Sequence, residues 1–99
     1  MRLAWSNLAI KELRALRHFS RERWGSSVAP RYLEDVRDAA KHLAVNPGLA
    51  RPLRGRLGVF RVRSHYLIVE VDADANRILV ARVLHTAMDL ERHLPADLD

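Results

Sequence analysis

One arginine interrupts an otherwise apolar run near the end of the chain, Ile78-Leu79-Val80-Ala81-Arg82-Val83-Leu84, and His85 follows at once. An unpaired guanidinium buried in such a strand would be very costly, so Arg82 must sit on a solvated or functional face. Upstream, no acidic residue occurs between Asp38 and Glu70, whereas Lys41, Arg51, Arg54, Arg56, Arg61 and Arg63 all fall there. Cations gathered in this way bind phosphate or an acidic partner and can stabilise a developing negative charge. Only positively charged groups are evident, however, and catalysis needs a base as well. The plainer reading of Arg61, Arg63 and Arg82 is a solvated sheet face that docks carboxylates.

His85, Asp89 and His93 are spaced i, i+4, i+8, which on a helix would put them on one face, a geometry that can hold a metal. Nothing around them supports a metal centre, and His85 reads as a hydrogen-bonded residue at a strand end. No metal or other cofactor is expected. Glu34, Asp35 and Asp38 lie on the solvated side of an amphipathic helix, and Trp24 reads as a core plug at a hairpin turn.

The elements that must position these residues follow from periodicity. Arg2 to Trp5 is a short strand with Leu3 and Trp5 on one face. Ser6 is the N-cap of a helix reaching Trp24, on which Ala9, Leu13, Leu16, Ser20 and Trp24 form a stripe flanked by Ile10. Leu8 and Phe19 lie off that stripe, so the apolar face is wider than one packing surface requires. Gly25 ends the helix. A second helix starts near Ser26 or Ser27, with Pro30 in its first turn. Its stripe is Ala29, Tyr32, Val36, Ala39, Ala40 and Leu43, and Asn46-Pro47-Gly48 stops it. A loop to Gly58 precedes strands at Val59 to Arg63, Tyr66 to Val71 and Arg77 to Leu84, the last two joined by the turn Asp72 to Asn76.

The order is β-α-α-β-β-β, an α+β chain with a helical hairpin packed on one face of a small antiparallel sheet. The opposite face is left partly open, and Arg61, Arg63 and Arg82 share it. By parity Arg82 keeps company there with Ile78, Val80 and Leu84, and His85 reaches that face only if the chain bends after Leu84.

Ninety-nine residues make one domain, residues 1–99. The formal net charge is +5, and fifteen arginines stand against two lysines. That bias suits phosphate and carboxylate clamping, although the base composition of a gene can also produce it. With no cysteine, disulfides and thiolate sites are excluded. No apolar run approaches the ~20 residues needed to span a bilayer, and the N-terminus lacks the pattern of a signal peptide. A cytoplasmic protein is expected.

Four pieces of sequence, in order and spacing, carry a resemblance that covers nearly the whole chain. They are Glu22-Arg23-Trp24-Gly25, Asn46-Pro47-Gly48, the segment Phe60-Arg61-Val62-Arg63-Ser64-His65-Tyr66-Leu67-Ile68, and Arg82-Val83-Leu84-His85 with Met88-Asp89 and His93-Leu94 after it. Together they resemble ParE-type toxins of the RelE/ParE superfamily, from toxin–antitoxin and plasmid-stabilisation modules. The resemblance implies a bacterial growth-inhibiting toxin in a hetero-oligomer with a ParD-like or related antitoxin, whose arm wraps the helical hairpin and sheet. It implies DNA gyrase as the target of ParE-type members, and ribosome-dependent cleavage of messenger RNA for RelE-type members. A third reading is an inactive binding module.

Under the RelE-like alternative, Arg61 and Arg82 match the basic strand positions and His85 approximates the acid or base. The lysine-rich face and late tyrosine of those nucleases are missing, while Pro52-Leu53-Arg54-Gly55 has their flavour. Candidate target-binding residues are therefore Arg54, Arg56, Arg61, Arg63 and Arg82. Leu8, Phe19, Arg54 and Arg56 are the candidates for antitoxin binding.

Overall fold

The computed structural model describes residues 1–24, 29–88 and 90–93, with the backbone alone at Ser20, Arg21, Trp24, Ala29, Glu91 and His93. Strand β1 (Arg2–Trp5) leads into helix α1 (Asn7–Trp24), and helix α2 (Ala29–Val45) follows. A short 3-10 turn (Pro47–Leu49) precedes strands β2 (Arg51–Arg54), β3 (Leu57–Val62), β4 (His65–Asp72) and β5 (Arg77–His85), and a single turn of helix, α3 (Leu90–His93), comes last. The expected helix cap Gly25 and the starts at Ser26 or Ser27 lie outside the described residues, as does Asp89.

Local chemistry accounts for most boundaries. The Ser6 hydroxyl accepts a hydrogen bond from the Ala9 N–H at 2.9 Å, which satisfies one of the orphan donors at the start of α1. Pro47 cannot extend α2, and Asn46 instead opens the 3-10 turn. At the β4–β5 turn, the Ala75 N–H donates to the Asp72 carboxylate, and Asn76 adopts a left-handed φ of 51° that suits its short polar side chain.

The sheet runs β1-β5-β4-β3-β2. It is mixed, and the antiparallel expectation is corrected at one edge: β1 pairs with β5 in parallel, Arg2 opposite Arg77 and Trp5 opposite Val80. Two intervening helices and three strands separate these edges in sequence, so local turn chemistry could not specify their direction. The loop before Gly58 also supplies a fifth strand. β2 is an edge strand, where the missing N–H of Pro52 is tolerated. Gly58 lets β2 approach closely, because a Cβ there would stand 3.0 Å from that of Ala50.

Both helices pack on one face. Leu16 of α1 and Tyr32, Val36, Ala40 and Leu43 of α2 meet Val62, Leu67, Val69, Ile78, Val80 and Val83 in the main core. Each fully buried aliphatic side chain contributes about 1.5–3 kcal/mol relative to exposure. The other face is more covered than expected. Leu57, Val59, Ile68 and Leu84 are buried there beneath Leu53, Tyr66 and Leu90.

A bulge in β5 changes which residues share a face. Val80 pairs with Val69 but Arg82 pairs with Ile68, which leaves Ala81 as the extra residue. Ile78, Val80 and Val83 therefore all reach the helical side, while Leu84 joins the other. Of the expected grouping, Arg82 keeps Leu84 but loses Ile78 and Val80.

Candidate functional site

Because β1 ends opposite Val80, the remainder of β5 has no strand on that side, and α1 supplies its polar partners instead. The Ser6 hydroxyl donates to the Ala81 carbonyl at 2.7 Å. One oxygen of Glu12 accepts from the Val83 N–H at 2.9 Å. The same carboxylate holds Arg82 in a fork, with Nε 3.2 Å from each oxygen and Nη2 2.9 Å from Oε2. Both side chains are only 18% exposed. A paired guanidinium in this setting is a structural clamp between α1 and the sheet edge, and its charge is already matched.

A second cluster ties α2 to the β3–β4 hairpin. The Tyr32 hydroxyl accepts from the Ser64 N–H at 3.0 Å and lies 2.6 Å from Nδ1 of His65. His65 faces His85 across the strands, their rings edge to face at 5.2 Å. Nδ1 of His85 accepts from the Ala87 N–H, which folds the chain after β5 back on itself. Arg63 sits in the hairpin turn with φ of 54°, a left-handed conformation costing about 1–2 kcal/mol for a residue with a Cβ. Its side chain is held by Asp35, with Nε 2.7 Å from Oδ2, and stacks over the Tyr32 ring at 5.2 Å.

Between these two clusters lies a groove of about 640 Å³. Leu16, Phe19, Val83 and Met88 give it apolar walls, and His65 and His85 stand along it with Glu12. Phe19 is 50% exposed, and Arg23 lies over its ring at 5.7 Å. An open apolar trough edged by imidazoles is suited to holding a partner's side chains. Its one phenol, Tyr32, is buried with its hydroxyl already bonded. Among the described residues no three His, Asp or Glu side chains gather as a metal site.

The profile of the ParE toxin of type II toxin–antitoxin systems matches residues 3–90 of this sequence. The chain belongs to the ParE toxin family. It is 34% identical over 76 residues to Toxin ParE1 of Mycobacterium tuberculosis, an alignment covering 74% of this chain and 76% of that protein. Its fold is similar to a chain of the chromosomal ParDE toxin–antitoxin system of P. aeruginosa, with a TM-score of 0.75, 20% identity, and 86% and 95% of the two chains covered. The RelBE2 toxin–antitoxin complex of Mycobacterium tuberculosis contains a similar fold, with a TM-score of 0.66, 21% identity, and coverage of 85% and 95%. In this ParE-family chain no described helix is long and apolar enough to cross a membrane.

The three arginines expected on one open face of this ParE-family fold are dispersed. Arg61 lies there, beside Tyr66 across the strands, its Nε donating to the Arg63 carbonyl at 2.9 Å, and Arg82 starts from the same face by its pairing with Ile68, although its guanidinium is held by Glu12. Arg63 turns to α2 and Arg82 to α1. His85 stays in β5 and projects to the groove rather than joining Arg61. Arg54 is exposed, and Arg56 faces Glu70 and Asp72 at 3.9 and 3.6 Å. Leu8 and Phe19 are exposed as their off-stripe positions imply.

Sequence reasoning missed Glu12, Tyr32 and His65. For Glu12 a signal existed: an arginine in an apolar strand demands a carboxylate, and α1 carries only Glu12 and Glu22. Arg61 has no such structural duty, so Arg61→Ala should shift the melting temperature by no more than about 2–4 °C, read by thermal denaturation.

Burial, and secondly the neighbouring His85, hold His65 below the ordinary histidine value of 6.5. The unfolded chain therefore takes up a proton that the folded chain resists. The contribution of His65 to stability is complete above about pH 6.5 and is lost as pH falls toward its folded value. Melting temperatures measured from pH 7.5 down to 5 should fall on the acid side, and His65→Phe should flatten that fall while lowering stability overall. An unchanged acid slope in that variant would exclude His65 as its source.

Proposed function

We propose that this ParE-family chain is a toxin that inhibits DNA gyrase and is neutralised by a ParD-like or related antitoxin in a toxin–antitoxin hetero-oligomer. The observation that carries this reading is the family match across residues 3–90. The dispersal of Arg61, Arg82 and His85 supports it further, since a ribonuclease would need its charge-stabilising groups and its acid or base within reach of one phosphate. The target implies a cytoplasmic site of action. The folded region would act as one toxin domain, with the antitoxin lying over the helical hairpin and anchored at Leu8 and Phe19.

Similarity of fold to a RelBE complex keeps a second reading, a ribosome-dependent messenger RNA nuclease, within the test. Induced expression should arrest growth with gyrase-dependent DNA damage, and co-expression of the antitoxin encoded beside it should restore growth. Harmless expression with intact antitoxin binding would instead mark an inactive binding module.

A further inference from the structure

Both imidazoles of the groove are held by one ring nitrogen. Nδ1 of His65 lies 2.6 Å from the Tyr32 hydroxyl, and Nδ1 of His85 accepts from the Ala87 N–H at 3.0 Å. The turn carrying Ala87 is itself fixed, because the Thr86 N–H donates to the Ser64 carbonyl and the Met88 N–H to the His85 carbonyl. Nε2 is the nitrogen left to each ring, and among the described residues it makes no hydrogen bond in either. With their centroids 5.2 Å apart, the two rings are within reach of one small polar group.

The tautomer of His85 decides what it can bind. A neutral imidazole has one N–H and one ring lone pair. Ala87 takes the lone pair at Nδ1, so the proton is on Nε2, and a protonated ring carries one there as well. Nε2 therefore donates and does not ligate a metal, so a ligand must bring an acceptor. Glu12, the carboxylate on the same groove, does not compete for that donor, since its oxygens accept from Arg82 and Val83. Arg23, exposed beside Phe19, adds a cation. Inorganic phosphate would leave the apolar walls unused, and a plain hydrocarbon would leave the donors without acceptors. The groove volume, about 640 Å³, falls in the range that takes one small molecule.

We infer that this groove binds a small amphipathic carboxylic acid, its carboxylate on the Nε2–H of His85 and beside His65, its hydrocarbon against Phe19, Val83 and Met88. The site does not depend on gyrase being the target. A bound acid would cover Phe19, so acid and antitoxin would oppose one another; that consequence, unlike the site itself, rests on Phe19 being an antitoxin anchor.

The test titrates the purified full chain with 4-phenylbutyrate, followed by two-dimensional NMR, with the uncharged 4-phenylbutanol in a parallel series. Saturable binding in the millimolar range is expected, the size set by so small a ligand. Shift changes should centre on His65, His85 and Val83. His85→Phe, which keeps a ring but removes the donor, should weaken binding by at least tenfold, and Arg37→Gln, outside the groove, should leave it unchanged. Thermal melts check that the His85 variant folds, and Met88→Asp, which sets a negative charge on the wall, replaces it if it does not. Absence of saturable binding would overturn the proposal, as would equal affinity for the alcohol or full affinity in the folded variant. Zinc bound at the two histidines in place of the acid would also overturn it and make the pair a metal site.

Discussion

Glu12→Ala is expected to lower the melting temperature by about 10–20 °C. One carboxylate here satisfies the Val83 N–H at an uncovered strand edge and neutralises Arg82. Removing it takes the forked carboxylate from a largely buried guanidinium and leaves the Val83 N–H without that acceptor. A broken buried pair and an orphaned donor cost several kcal/mol in the limit of full burial, and at 18% exposure about 2–3 kcal/mol is the appropriate size. For a domain of this length each kcal/mol moves the midpoint by about 4–8 °C. Glu12→Gln keeps an acceptor for Val83 and should fall between alanine and wild type. Arg82→Ala should be destabilising too, which sets it apart from Arg61→Ala. A Glu12→Ala midpoint near wild type would mean that the Glu12–Arg82 clamp does not hold α1 to the sheet edge.

Phe19→Ala should weaken the complex with the antitoxin by more than tenfold while leaving the toxin folded. Phe19 is half-exposed on the wall of the groove, so its truncation removes little from the core. A phenyl ring buried by a partner contributes about 1.5–3 kcal/mol, and 1.4 kcal/mol is already tenfold. Charge reversal at Arg54 should mainly slow association and change its salt dependence. Toxin and antitoxin, co-purified and then titrated for each variant, give both quantities. Unchanged affinity with Phe19→Ala would move the interface off the hairpin and toward a sheet edge.

The helices and the β4–β5 hairpin were legible because each is specified locally. Ser6 announces a cap, Pro47 a stop, and the Asp72 to Asn76 turn joins two alternating strands. The parallel placement of β1 was not, because its partner lies more than seventy residues away in sequence. The bulge at Ala81 was equally silent: one unpaired residue resets a period of two, and no side chain in Val80-Ala81-Arg82 marks where it occurs. That single residue carried Ile78 and Val80 to the helical side, away from Arg82 and Leu84.

The candidate site suffered from a related cause. Tyr32 sits among the apolar residues of the α2 stripe and reads as core, which it is, yet its hydroxyl organises Ser64 and His65 from another element. Side chains whose role depends on a contact between distant elements carry no periodic signature. The exposed Leu8 and Phe19, by contrast, were visible as excess apolar surface on a helix with one face to bury.

Inhibition of supercoiling by the purified toxin tests the central claim most directly. Relaxed plasmid, DNA gyrase and ATP are combined with increasing toxin, with antitoxin added in a parallel series and translating ribosomes assayed for messenger RNA cleavage beside them. The account predicts dose-dependent loss of supercoiling, its restoration by antitoxin, and intact messenger RNA. Unimpaired supercoiling together with cleaved messenger RNA would contradict it and assign the chain to ribosome-dependent nuclease action.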